Sequence, residues 1–109
     1  MDFKELLKFI DIEDERLKRV FSSEYRDKIV LVRTVKLTEE LGELCDEVLA
    51  HSFFQSKHKL SLHDKENLPE EFADVILTTL LLAKSMNVDI ENALEKKIEK
   101  VNNRYKEKK

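Results

Sequence analysis

Four acidic residues in two separate stretches have the spacing of a metal site. Glu40 and Glu43 lie three residues apart in KLTEELGELCDEV, and Glu71 and Asp74 have the same spacing in EEFADVILTTLLLA. Residues three apart lie on one face of an α-helix, with about 5–6 Å between their Cβ atoms. Two such helices packed face to face bring four carboxylates together. This arrangement suits a hard cation such as Mg²⁺, which prefers oxygen ligands.

Other metal chemistries fit the sequence less well. The di-iron carboxylate bundles use a Glu-x-x-His motif, whereas the residues three positions after Glu40 and Glu71 are both acidic. The histidines all fall at the end of the first acidic helix or in the segment that follows it. A histidine cluster or zinc site there is the alternative, formed by His51, His58 and His63.

The apolar residues of the first acidic helix separate two kinds of carboxylate. They recur at i, i+4, i+7 and i+11 and predict the direction of the core. At about 100° per residue, Glu40, Glu43 and Glu47 flank this stripe, whereas Glu39 and Asp46 point away from it. The flanking acids are therefore expected to border the core. The stripe consists of Leu37, Leu41, Leu44 and Val48.

The helix that carries the second acidic pair is predicted to be buried on most sides, because apolar residues cover nearly its whole circumference. Its only polar strip consists of Glu71, Asp74 and Thr78. An ionised carboxylate beside so much apolar surface is costly unless a cation or strong donors compensate it. The apolar residues are Phe72, Val75, Ile76, Leu77, Leu80, Leu81, Leu82, Ala83 and Met86.

The N-terminal half is predicted to hold two short helices and one long one. Apolar spacing predicts a helix over residues 3–10, a break at 11–14 and a second short helix near 17–21. Ser23 is the predicted N-cap of a long helix that ends at about His51 or Phe54. Gly42 inside this helix costs about 1 kcal/mol relative to Ala. We therefore expect a neighbouring helix or the substrate to approach closely there.

The C-terminal half is predicted to hold a linker and two helices. Asn67 and Pro69 begin the second acidic helix, which ends near Asn87, and Asp89 caps a last helix from Ile90 to about residue 105. The polar linker is expected to pack its phenylalanines under the chain or over a ligand, and its lysines are solvated or contact phosphate. These linker residues are Phe53, Phe54, Lys57 and Lys59.

Together these elements predict a single all-α domain over residues 1–109, with a four-helix bundle core and an extra short N-terminal helix. The chain has one Gly and one Pro, and 39% of its residues are charged, a composition typical of helical bundles. Cys45 is alone, so no internal disulfide forms, and it is expected to be a small packing residue.

Charge and hydropathy exclude two further classes. The net charge of −3 gives no global reason to expect nucleic-acid binding, and such a reading has only the basic last helix in its favour. No apolar run reaches the length of a membrane span, and we expect no signal peptide because charged residues interrupt the first apolar ones. We expect a cytoplasmic protein that forms no membrane contact.

The two acidic motifs and the C-terminal KKIEKVNNRY resemble the MazG-like all-α nucleoside-triphosphate pyrophosphohydrolases over residues 31–105. The resemblance implies Mg²⁺-dependent hydrolysis of a nucleoside triphosphate, or its deoxy form, to a monophosphate and pyrophosphate. It implies that Glu40, Glu43, Glu71 and Asp74 are the metal ligands, with two or more Mg²⁺ ions per site and Mn²⁺ as a substitute. The implied nucleotide contacts are Lys97, Arg104, Tyr105 and the nearby Asn102.

The chemistry also requires a group that orients or deprotonates water. Glu39, Glu43 and Glu47 are the candidates, and by helical angle Glu43 and Glu47 are better placed than Glu39. The resemblance further implies a homodimer or homotetramer in which two subunits build each active site. The alternative is a non-catalytic helical oligomer or nucleotide-binding module of the same fold.

Some positions depart from the family pattern. Members that prefer deoxycytidine nucleotides have aromatic residues where this chain has Ala50 and Thr78, and many members have an asparagine where it has Val101. A base pocket of the deoxycytidine type is therefore not expected. The N-terminal third has no chemical motif and is expected to cover the core, with a contribution of Phe21 or Tyr25 to a base pocket as the alternative.

Overall fold

The computed structural model describes residues 1–52 and 67–106, and all the regular structure in these two stretches is α-helical. The predicted all-α class is confirmed. None of the helices in these stretches is long and apolar enough to cross a membrane. The helices are α1 (Phe3–Val20), α2 (Ser23–Asp27), α3 (Ile29–Ser52), α4 (Asn67–Ser85) and α5 (Ile90–Lys106).

The break predicted at residues 11–14 is wrong, because α1 runs without interruption from Phe3 to Val20. Its first turn is capped by Asp2, whose side chain accepts a hydrogen bond of 2.8 Å from the Glu5 backbone N–H. Asp14, in the middle of the helix, is buried and lies 2.9 Å from Lys18 Nζ and 2.7 Å from Arg33 Nη1. These cations stabilise an acidic residue that otherwise suggests a break.

The long helix predicted from Ser23 is also divided. Ser22, not Ser23, is the N-cap of the short helix α2, and Lys28 leaves the helical conformation with φ −115° and ψ 25°. The turn at Lys28 separates α2 from α3, which ends at Ser52, within the predicted range. A side-chain contact holds α2 against α3, since Arg33 Nε donates a hydrogen bond of 3.1 Å to the Tyr25 hydroxyl.

Helices α3 and α4 form the principal pair, and α1 packs mainly against α4. The deeply buried apolar residues of the described chain, Ile10, Ala50 and Leu80, come from these three helices. Helix α5 begins as predicted, with Asp89 Oδ1 accepting a hydrogen bond of 3.1 Å from the Asn92 N–H. It contributes no buried residue. Within one chain, α5 therefore lies outside the core that the other helices form.

Much of the predicted core surface is exposed in a single chain. Phe72 and Ile76 on α4 are 50% and 54% exposed, and Leu41 of the predicted apolar stripe on α3 is 49% exposed. The prediction that α4 is buried on most sides is therefore wrong for one chain, because only one side of it meets α3 and α1. The buried residues of α3 are Arg33, Glu40, Glu47 and Ala50.

Two residues of α3 lack the packing neighbours expected of them within one chain, and an approach of the substrate to Gly42 stays a prediction. A Cβ atom added at Gly42 meets nothing within 4 Å, so no close neighbour explains this glycine in the described chain. Cys45 is exposed rather than a packing residue. The expectations for the linker and for two histidines lie outside the described residues: Phe53, Phe54, Lys57, His58, Lys59 and His63.

Candidate metal centre and adjoining cavity

Helices α3 and α4 bring three of the four predicted metal ligands together. One carboxylate oxygen from each of Glu40, Glu43 and Glu71 lies within 4.8 Å of the others. The spacing of three residues places Glu40 and Glu43 on one face of α3, and the packing of α4 on that face supplies Glu71. The cluster thus depends on the principal helix pair of the fold.

Two of the three acids in this cluster have a buried carboxylate oxygen, whereas Glu43 is exposed. Lys36 Nζ lies 3.1 Å from Glu40 Oε1. Glu40 Oε2 and Glu71 Oε2, in contrast, are buried and accept no hydrogen bond from the described part of the chain. A buried carboxylate oxygen without a donor costs free energy unless a cation compensates it. The donors are all carboxylate oxygens, so the residues fit a hard divalent cation such as Mg²⁺ or Mn²⁺.

The ionisation of Glu71 reflects the crowding of negative charge. Burial, followed by the charges of neighbouring acids, raises the pKa of Glu71 above its ordinary value of 4.5. The hydrogen bond and the negative charge of Glu40 in turn raise the pKa of Lys36. Lys36 thus faces several carboxylates. The acids that act on Glu71 are Glu43, Asp74, Glu40 and Glu47.

Asp74, the fourth predicted ligand, is not a member of the group of three. It is half-buried on α4, and its charge contributes to the raised pKa of Glu71. Its neighbour on the next turn, Thr78, donates its hydroxyl hydrogen to the Asp74 backbone carbonyl at 2.7 Å. Asp74 therefore borders the cluster, and its part in metal binding stays a prediction.

The three candidates for water activation occupy different positions. Glu43 belongs to the cluster itself. Glu47 is buried one turn further along α3, with its Oε2 atom 3.4 Å from His51 Nε2. Glu39 is exposed, and its Oε2 atom lies 3.9 Å from Lys36 Nζ. Glu43 is exposed as Glu39 is, and the choice among the three acids stays a prediction.

The predicted nucleotide contacts of α5 do not meet the cluster within one chain. All four side chains are exposed, and none of them belongs to the acidic group or to the wall of the cavity beside it. Their role stays a prediction. The residues are Lys97, Asn102, Arg104 and Tyr105.

A cavity of about 330 Å³ adjoins the acidic cluster, and Glu40 belongs to both. This volume lies within the usual range for small-molecule sites. Phe21 and Tyr25, with ring centroids 5.0 Å apart, form part of its wall. Helices α1, α3 and α4 contribute the remaining lining residues, namely Glu13, Leu17, Val32, Arg33, Lys36, Asp74, Leu77, Thr78 and Leu81.

The sequence interpretation missed Arg33 and Lys36 as residues of this site. Arg33 is 3% exposed, and its Nη1 atom donates hydrogen bonds to Asp14 Oδ1 and to the Leu81 carbonyl oxygen at 2.7 and 3.0 Å. One signal was present in the sequence. Arg33 lies seven residues before Glu40 and fourteen before Glu47, which places it on the same face of α3.

Comparison with known proteins identifies the family of the chain. The family model described as the MazG nucleotide pyrophosphohydrolase domain matches residues 32–108. A protein of Bacillus subtilis (strain 168), named uncharacterized protein YpjD, is 32% identical over 101 residues, which make up 93% of this chain and 87% of that protein. No solved structure gives a significant match. The chain belongs to the MazG nucleotide pyrophosphohydrolase domain family.

Proposed function

We propose that this protein hydrolyses nucleoside triphosphates, or their deoxy forms, to a nucleoside monophosphate and pyrophosphate in a Mg²⁺-dependent reaction. The observation that carries the proposal is the cluster of Glu40, Glu43 and Glu71, in which buried oxygens lack donors. A cavity large enough for a nucleoside adjoins this cluster. Membership of a pyrophosphohydrolase family supports the same reaction.

In this proposal Glu40, Glu43, Glu71 and Asp74 hold the metal. When bound, Mg²⁺ ions neutralise charge on the phosphate oxygens and make a bound water easier to deprotonate. Glu43 or Glu47 orients the attacking water and accepts its proton, since Glu43 belongs to the acidic cluster and Glu47 is buried one turn further along α3. Glu39, on the exposed side, is the weaker candidate for this role.

The phosphate contacts come from basic residues near the cluster and from α5. Lys36 lies 3.1 Å from Glu40 and lines the cavity, so it is positioned beside the phosphates of a bound nucleotide. Lys97, Asn102, Arg104 and Tyr105 reach the phosphates from α5 of another subunit in a homodimer or homotetramer. The exposed apolar residues of α4 and α5 support such an assembly.

We place the reaction in the cytoplasm, where the protein hydrolyses unwanted members of the nucleotide pool. The test is pyrophosphate release from a panel of ribo- and deoxynucleoside triphosphates, with and without Mg²⁺, with the product nucleotide identified. Mg²⁺-dependent formation of a monophosphate and pyrophosphate supports the proposal. Nucleotide binding without turnover by folded, metal-loaded protein contradicts it and favours a non-catalytic binding module.

Three substitutions and one matched control test whether the acidic cluster carries the reaction. Glu40→Gln, Glu71→Gln and Asp74→Asn remove ligand charge with little change of volume, and each is expected to abolish turnover while circular dichroism stays helical. Glu70→Gln is the matched control, because Glu70 is exposed beside Glu71 and lies outside the cluster. Equal activity of Glu71→Gln and Glu70→Gln contradicts the assignment.

A further inference from the structure

One buried nitrogen of Arg33 has no partner among the residues that the structure describes. A guanidinium group carries five N–H donors and no acceptor. Nε and Nη1 donate to Tyr25, Asp14 and Leu81, whereas Nη2 makes no hydrogen bond within residues 1–52 and 67–106. A buried donor without an acceptor costs about 1–3 kcal/mol. Such a group in a family of nucleotide-hydrolysing domains requires an explanation.

The rest of the Arg33 side chain is fixed, so Nη2 cannot find an acceptor elsewhere without breaking other bonds. Nη1 bridges Asp14 on α1 and the Leu81 carbonyl on α4, and Nε donates to the Tyr25 hydroxyl. Asp14 also compensates the charge of the guanidinium at 2.7 Å. Arg33 is therefore suited to offer directed donors rather than a free positive charge for phosphate.

Arg33 is positioned to meet the base of a nucleotide whose phosphates lie beside Glu40. Both Arg33 and Glu40 line the cavity, and their separation of seven positions corresponds to about 10 Å along the α3 axis. This length is comparable to that of a nucleoside. Phosphates beside Glu40 therefore place a base near Arg33, where Phe21 and Tyr25 provide aromatic surface.

We propose that Arg33 is a specificity-determining residue, which selects bases with a carbonyl oxygen at the edge remote from the sugar. These bases are the 6-oxopurines and the 4-oxopyrimidines. Adenine and cytosine place an amino group at that edge, so a donor would face a donor and both would stay unsatisfied. The inference rests on the proposed function, because it assumes that a nucleotide occupies the cavity.

The first test changes the substrate and leaves the protein intact. Inosine triphosphate is compared with purine riboside triphosphate, which lacks only the 6-oxo group and the proton that accompanies it on N1. Uridine triphosphate is compared with the pyrimidin-2-one analogue, which lacks the 4-oxo group in the same way. We expect kcat/KM to fall about 10- to 100-fold within at least one pair, because a site built to hydrogen-bond a group rejects analogues that lack it. Equal values within both pairs overturn the proposal.

The second test changes the arginine. Arg33→Lys keeps a positive charge beside Asp14 but removes Nη2, so the preference for the carbonyl base is expected to fall towards one. Asp14→Asn is the control, because it breaks the same ion pair and retains the guanidinium, and it is expected to keep the preference. Thermal unfolding of both variants accounts for lost stability. Loss of the preference in Asp14→Asn but not in Arg33→Lys overturns the proposal.

Binding measurements distinguish this inference from the proposed hydrolysis. Isothermal titration with the α,β-methylene analogues of the same nucleotide pairs reports affinity without turnover. A preference in affinity without any hydrolysis of the parent nucleotides supports Arg33 and contradicts the proposed reaction. Hydrolysis with equal affinity and equal kcat/KM within each pair supports the reaction and contradicts the role of Arg33. If Arg33→Lys fails to fold, the intact protein still decides between these outcomes.

Discussion

Arg33 Nη1 lies 2.7 Å from Asp14 Oδ1, and this contact joins α3 to α1 where both side chains are almost completely buried. The same nitrogen donates to the Leu81 carbonyl on α4. One guanidinium therefore ties together the three helices that supply the buried apolar residues. Removing one member of a buried ion pair typically costs 3–5 kcal/mol, because the other charge is left uncompensated.

The Asp14 carboxylate is expected to make the free energy of unfolding depend on pH in the acid range. Burial raises its pKa, but hydrogen bonds and charges from Lys18 and Arg33 outweigh burial and lower it below the ordinary value of 3.8. The unfolded chain then binds the proton more readily. The free energy of unfolding contributed by this group is present above about pH 4 and is lost as pH falls through the lower folded pKa.

Urea unfolding at pH 6 and at pH 3 measures this effect. Asp14→Asn is expected to unfold at lower urea at pH 6 and to lose less of its remaining stability at pH 3 than the intact protein. Glu5→Gln, at an exposed position of α1, keeps the normal acid dependence. Identical acid dependence in Asp14→Asn and the intact protein contradicts the assignment to Asp14.

Metal affinity is expected to fall at low pH because of Glu71. Its pKa is raised by burial and by neighbouring acids, so binding of Mg²⁺ or Mn²⁺ must displace a proton as pH approaches that raised value. Calorimetric titration in buffers of different ionisation enthalpy reports the proton release. Glu71→Gln is expected to bind more weakly and release no proton, whereas Glu70→Gln behaves as the intact protein does.

The same charge crowding predicts a stability change that metal reverses. A raised carboxyl pKa means that folding loses stability as pH rises through it, so Glu71→Gln is expected to raise the Tm of the metal-free protein at pH 7. Added Mg²⁺ should raise the Tm of the intact protein and leave that of Glu71→Gln nearly unchanged. A lower Tm for metal-free Glu71→Gln would show that Glu71 stabilises the fold by itself.

Gly42→Ala is expected to stabilise the chain. The position is helical, and an added Cβ meets nothing within 4 Å, so the gain in helix propensity of about 1 kcal/mol is not offset by a clash. Urea unfolding at a protein concentration where the oligomeric state is fixed measures it. A loss of assembly or activity together with this change would identify Gly42 as a place where a subunit or substrate approaches.

The exposed apolar side of α4 is expected to lie in a subunit interface. Ile76→Glu, at a position 54% exposed in one chain, should reduce the mass measured by light scattering towards that of a single chain. Ser23→Glu adds the same charge at an exposed polar position of α2 and should leave the mass unchanged. An unchanged mass for Ile76→Glu places the interface elsewhere.

Periodicity was enough to predict the all-α class, the bounds of α4 and α5 and the meeting of Glu40, Glu43 and Glu71, because these features depend on local spacing. The continuous α1 was not predicted, since Asp14 is stabilised partly by Arg33, nineteen residues away. Arg33 itself stands in the apolar run IVLVRTV. Its burial depends on partners in three other segments, and no local pattern contains that information.

The seven-residue interval from Arg33 to Glu40 fixes the distance and the relative direction of two side chains that line the cavity. Inserting or deleting one residue between them would rotate the two ends by about 100° and shift them by 1.5 Å. The length of this interval is therefore strictly constrained. If Arg33 selects the base as proposed, a substitution that keeps its contact with Asp14 would change substrate range and leave the carboxylates two turns away in place.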